Sequence, residues 1–137
     1  MLPTLCACTK LRRSARAVTA FYDAALDGSG LTTPQFSLLR LLARAGACSL
    51  TQFAEHTGHD RTTISRTVGT LRQHGLVQPA KGEDRRERMI ELSPAGREAI
   101  ARSLPAWEAA EARVDALLGG DRATLFALLE RIEDIRP

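Results

Sequence analysis

Three thiols are the most reactive groups in the sequence, and two of them, Cys6 and Cys8, are separated by one alanine beside Lys10, Arg12 and Arg13. A thiol reacts as its thiolate, and cations near the start of a helix favour that form. Cys8, with Cys6, is therefore a candidate sensor of oxidants. The same pair offers soft ligands to a thiophilic metal ion or to arsenite, including as a bridge between subunits. A disulfide within Cys6-Ala7-Cys8 would be strained, so an intersubunit bond is the expected oxidised product. Inert packing is the competing reading: free cysteine is often a small buried hydrophobe, Cys8 sharing a stripe with Leu11 and Val18 and Cys48 packing quietly before a helix. Tyr22 and Trp107 are candidates for lining a small-ligand pocket, although aromatics at helical spacing are more often core. His56, His59 and His74 lack the ligand spacing of a closed zinc site, and no metal or cofactor is expected.

Hydrogen bonding to nucleic acid is the second chemistry on offer. Thr62, Thr63, Ser65, Arg66, Gly69 and Thr70 form one small, polar side of a segment whose other side carries Ile64, Val68 and Leu71. Short hydroxyls and low bulk let a helix enter the major groove and approach base edges. Charge agrees: residues 61–88 hold seven basic and three acidic groups, against six and four in 1–60 and six and nine in 89–137. The cations Arg61, Arg66, Arg72, Lys81, Arg85, Arg86 and Arg88 are where a phosphate backbone would be held, each contact releasing a condensed counterion.

The elements that must position these groups follow from periodicity. Residues from about Leu5 to Leu26 recur at three- and four-residue steps as a helix, stopped by Asp27-Gly28-Ser29-Gly30. Thr33 before Pro34 is expected to cap a second helix ending near Gly46. Ser49 with Gln52 resembles a capping box opening a short third helix that stops at Gly58. Asp60 caps a fourth, Arg61 to His74, closed by Gly75. Two helices around the Gly58 turn, the second polar outward, describe a helix-turn-helix. Leu76–Pro79 and Arg88–Leu92 then read as a β-hairpin with the charged tip Lys81–Glu87. Such a wing reaches a neighbouring minor groove, where an arginine senses its width and negative potential. From Ser93-Pro94 a long amphipathic helix runs to Gly119-Gly120, with a kink expected at Pro105. Asp121 with Thr124 opens a last helix whose Leu125, Leu128, Leu129, Ile132 and Ile135 are too apolar to leave in water.

Leu50-Thr-Gln-Phe-Ala54, Asp60-Arg-Thr-Thr-Ile-Ser-Arg66, Leu71 through Gly75-Leu76-Val77, Asp84-Arg-Arg86 and Leu92-Ser-Pro-Ala-Gly96 together resemble the MarR regulators over nearly the whole chain. The resemblance implies a mainly α fold with a small β-hairpin wing. It divides the single 1–137 domain into a winged helix-turn-helix at 31–93 and dimerisation helices at 1–30 and 94–137. It further implies a homodimer on pseudo-palindromic double-stranded DNA, with Arg61 to Arg66 in the major groove, Arg86 in the minor groove and Asp84 bracing the wing. Many such regulators repress and release when a small aromatic acid or an oxidant shifts the two reading heads. Cys8 to Phe36 also resembles the organic-hydroperoxide-sensing branch, with Cys8 at the reactive position and Tyr22 at a tyrosine that stabilises it. Arg12 stands where that branch has another tyrosine. Along one helix Cys8 and Tyr22 lie about 21 Å apart, so only an antiparallel partner could join them.

With 137 residues the chain fits one domain, and no apolar run is long enough for a membrane span. An odd number of cysteines and no secretory signal point to the cytoplasm. Two other classes compete with a regulator, a thiol-dependent peroxidase using Cys8 and a helical protein-interaction module. The chain is read as a non-enzyme, since it has no Ser/His/Asp arrangement, phosphate-cradling loop or paired carboxylates, and a basic wing has no task in a peroxidase.

Overall fold

A computed structural model describes residues 2–80 and 89–137, so Lys81, Asp84, Arg85 and Arg86 lie outside the described residues. The chain order is α1 (Ala7–Leu26), α2 (Thr33–Ala45), β1 (Cys48–Ser49), α3 (Leu50–Thr57), α4 (Arg61–Gln73), β2 (Val77–Pro79), β3 (Met89–Leu92), α5 (Pro94–Leu118) and α6 (Arg122–Glu133). The mainly helical class read from the sequence is what forms, with a small antiparallel sheet in the order β1-β3-β2.

Caps explain most of the boundaries. Ser49 and Gln52 exchange both bonds of a capping box, and Gly58 takes the left-handed conformation that ends α3. At α2 the cap is Thr32, not Thr33: the Thr32 hydroxyl and the Gln35 side chain form a second capping box, which moves the start one residue back. Thr33 is occupied elsewhere, its amide and hydroxyl both donating at 2.7 Å to Asp23 Oδ1. That pair fastens the end of α1 to the start of α2. Asp121 precedes α6 but makes no side-chain cap bond. Pro105 does not interrupt α5, which is continuous from Pro94 to Leu118.

β1 is an element that sequence reasoning missed. Cys48 pairs with Ile90 and Ser49 with Met89, while Val77 pairs with Leu92 and Gln78 with Glu91 across the β2–β3 hairpin. Cys48 is thereby buried among Leu39, Leu42, Phe53 and Ile64, in a core that also takes Leu26, Phe36 and Leu71.

The α4–β2–α5 junction is close. Gly75 adopts φ +71, its amide donating to Arg72 O while Leu76 N donates to Leu71 O, the paired bonds that close a helix on a left-handed residue. Ser93 caps α5 by accepting from Gly96 N at 3.0 Å and also donates to Gly75 O at 2.5 Å. A Cβ on Gly96 would sit 2.1 Å from the Leu76 carbonyl oxygen, a backbone atom that cannot swing aside. Gly96→Ala is therefore expected to destabilise the protein by several kcal/mol, about 1–3 or more as for overpacked cores. Gly69→Ala, with nothing within 4 Å, should instead stabilise by up to about 1 kcal/mol. Urea midpoints of the two variants check both, and equal effects would refute the junction argument.

Candidate nucleic-acid interface and ligand cavity

α4 turns Ile64, Val68 and Leu71 into the core, which leaves its opposite side to solvent. Arg61, Thr62, Thr63, Ser65 and Arg66 are exposed there, and Thr70 is half-buried. Their hydroxyls are not equally free. Thr63 Oγ1 donates to Asp60 Oδ2 at 3.1 Å, and Thr70 Oγ1 donates back to Arg66 O at 3.3 Å. Arg61, Thr62, Ser65 and Arg66 thus present one surface stripe at helical spacing. Asp60 fixes where that stripe begins, Oδ1 accepting from Thr63 N at 2.7 Å. α3 packs beside α4 through the Gly58 turn, and β2 follows α4 in the chain and contacts it.

The thiols are dispersed. Cys6 and Cys8 are exposed at the start of α1, whereas Cys48 is buried. Hydrogen bonding from the Thr9 amide and hydroxyl holds the Cys6 thiol below its usual range, and burial pushes the Cys48 thiol up. On the single chain Cys8 is exposed, as are Ala15 and Val18 of the same helix. Tyr22 is buried, with its hydroxyl donating to Glu111 Oε1 of its own chain. Burial, then that bond to a carboxylate, pushes Tyr22 up to about 12, so the phenol keeps its proton at neutral pH. His56, His59 and His74 are exposed, and no three His, Cys, Asp or Glu gather to hold a metal among the described residues.

Tyr22 and Trp107 do meet in one cavity of about 540 Å³, within the size range of small-molecule sites. Arg40 lies over the Trp107 ring at 4.2 Å, and Phe36 stands 6.0 Å from that ring at a tilt of 49°. The sequence reading named neither the cations of this cavity, Arg40, Arg44 and Arg122, nor its carboxylate, Glu111. Phe36, Arg40 and Arg44 recur every four residues on α2, a signal visible in the sequence. Glu111 and Arg122 gave none. Arg122 Nε bonds Asp115, its Nη2 lies 2.8 Å from Glu111 Oε2, and the bond to Asp115 raises the guanidinium further above its ordinary range.

Helix, turn, outward polar helix and hairpin define a winged helix-turn-helix. The MarR family pattern matches residues 29–87. The transcriptional regulator MosR of M. tuberculosis, solved in complex with DNA, is 35% identical and superposes with a TM-score of 0.84, the match covering 93% of each chain. BpsR of Bordetella bronchiseptica, whose DNA binding is regulated by 6-hydroxynicotinic acid, is 26% identical over 99% of each chain, with a TM-score of 0.84. The HTH-type transcriptional regulator YwoH of Bacillus subtilis is 29% identical over 84 residues, a match spanning 61% of that protein's length. The chain belongs to the MarR family of transcriptional regulators.

Asp60 is expected to make the start of α4 acid-sensitive. Hydrogen bonds from the Thr63 amide and hydroxyl hold its carboxyl below the usual range. Its stabilising effect is complete above the unfolded-state value, about 3.9, and is lost as pH falls through the lower folded value. Asp60→Asn retains a capping oxygen without the titration. The fall in Tm between about pH 6 and about pH 3 should be smaller in this variant than in the wild type. An equal fall would show that the cap does not carry the acid response.

Proposed function

We propose that this protein is a homodimeric, non-catalytic, cytoplasmic repressor that binds a pseudo-palindromic duplex and releases it in response to a small aromatic acid or a thiol-reactive signal. The observation that carries the reading is α4: its apolar side is consumed by the core, and its free side offers Arg61, Thr62, Ser65 and Arg66. Thr63 and Thr70 support that surface, while Lys81, Arg85 and Arg86 of the wing, braced by Asp84, hold the adjacent backbone and minor groove. MosR, solved on DNA, supports this assignment by its likeness over 93% of the chain.

A two-fold assembly sets two such surfaces about one helical turn apart, ~34 Å. Residues 1–30 and 94–137 provide its contacts, since Val18, Leu117, Phe126, Leu128 and Ile132 are exposed on the lone chain. An apolar set of this extent on terminal helices is ordinarily covered by a partner. The cavity supplies the effector reading, as aromatic walls and an excess of guanidinium groups fit an aromatic acid. Control of BpsR by 6-hydroxynicotinic acid supports the same chemistry.

Gel-shift titration on the chain's own upstream DNA tests the core of this proposal. Affinity should drop by about a thousandfold or more between about 50 and about 200 mM salt if six or more phosphates are engaged. Arg66→Ala should cost about 1–3 kcal/mol of binding if it reaches a base edge. Arg86→Ala should weaken binding while the dimer persists. Salt-insensitive binding would refute a phosphate-holding interface, and wild-type affinity in both variants would remove Arg66 and Arg86 from it.

A thiol signal has its own support in the shared exposure of Cys6 and Cys8 on the first turn of α1. Treatment with organic hydroperoxide should release the wild type from DNA, and Cys8→Ser should stay bound. A Cys8→Ser protein that dissociates as readily as the wild type would exclude Cys8 as the sensor.

A further inference from the structure

Within the cavity, guanidinium groups outnumber their acceptors. Arg40, Arg44 and Arg122 line it against one carboxylate, Glu111, and Arg40 and Arg44 form no ion pair among the described residues. Glu111 is divided between two partners, Oε1 taking the Tyr22 hydroxyl and Oε2 facing Arg122. The contact to Arg122 is close at 2.8 Å but poorly directed: Nη2 is buried and makes no aligned hydrogen bond. A buried N–H without an aligned acceptor costs free energy that a better-placed oxygen would recover.

Arg122 is also the first residue of α6, a helix with no side-chain N-cap bond and no residue buried within the chain. Its bonds to Asp115 and Glu111 are a polar hold of α6 on α5. The ring of Phe126 lies beneath the guanidinium at 5.3 Å, one turn further along α6.

We propose that Arg122 is the group by which this regulator recognises ligand charge. A small aromatic anion seated against Trp107 and Phe126 takes the unaligned N–H of Arg122 and displaces Glu111, exchanging one of the two α5–α6 ion pairs for a protein–ligand one. The proposal rests on the cavity being the effector site. A carboxylate suits Arg122 because guanidinium and carboxylate can form two parallel, charge-assisted bonds. A neutral ligand of the same shape cannot outcompete Glu111 for a cation. Because α6 presents Leu128 and Ile132 outward, loosening one of its two ionic contacts with α5, while Asp115 keeps the other, bears on the surface on which a second copy rests.

Trp107 is the sole tryptophan, so its fluorescence reports on the cavity directly. The full chain is titrated with benzoate and, separately, with benzamide. Wild type should prefer benzoate by at least about tenfold, the scale of one charged hydrogen bond. Arg122→Gln should abolish that preference, Arg122→Lys should keep part of it, and Glu111→Gln should tighten benzoate while leaving benzamide unchanged. The last result separates recognition from scaffolding, since loss of a merely structural ion pair would weaken both probes. An undiminished benzoate preference in Arg122→Gln, weaker benzoate binding in Glu111→Gln, or no response of Trp107 to either probe in protein that still binds DNA would overturn the proposal. Failure of the wild type to bind duplex DNA with the benzoate preference intact would remove the regulator reading and support the cavity assignment.

Discussion

The contact between the end of α4 and the start of α5 is the constraint on which the remaining geometry depends. Ser93 bonds Gly75 O and Gly96 N together, and Gly96 leaves no room for a side chain against Leu76 O. Two helices joined through backbone atoms at that distance cannot rotate independently without breaking buried hydrogen bonds. The end of α4 is thereby held to the N-terminus of α5. The hairpin shares the same tether, because β2 begins at Val77 immediately after the closing turn and β3 ends at Leu92, next to Ser93.

From that tether α5 extends for 25 residues, about 37 Å at helical rise. Its middle gives Trp107 and Glu111 to the cavity, and Asp115 further on holds Arg122 of α6. One continuous helix thus touches the α4–β2 turn, the cavity and the terminal helix in sequence. Contiguity by itself supplies only a route between sites; a switch needs an element with two arrangements whose balance a ligand can bias. The proposed exchange of Glu111 for a ligand carboxylate at Arg122 would supply such an element.

Much of the fold was legible because its boundaries are local chemistry. Ser49 with Gln52, Asp60 before Arg61 and Gly75 after His74 each mark a helix end through bonds spanning a few residues. At α2 two threonines offer a cap, Thr33 with Pro34 at the next position and Thr32 with Gln35 three residues on, and the reciprocal bonds of the second pair decide it. β1 could not be read at all: two residues that pair with a strand some forty positions later leave no periodicity behind. The polar side of α4 was legible for the same reason as its buried side, as one helical period displays both.

The cavity divides differently. Tyr22 and Trp107 are conspicuous residue types, and each invited a pocket reading. Glu111 and Arg122 are charged residues on terminal helices, where solvent exposure is the ordinary expectation. Their significance arises only when α1, α5 and α6 converge and Tyr22, 89 positions from Glu111 in the chain, shares that carboxylate with Arg122. Such sharing among three groups is a property of tertiary placement. A charge pattern along the sequence records which groups exist, whereas specificity for a ligand depends on which of them remain incompletely satisfied once the helices have packed.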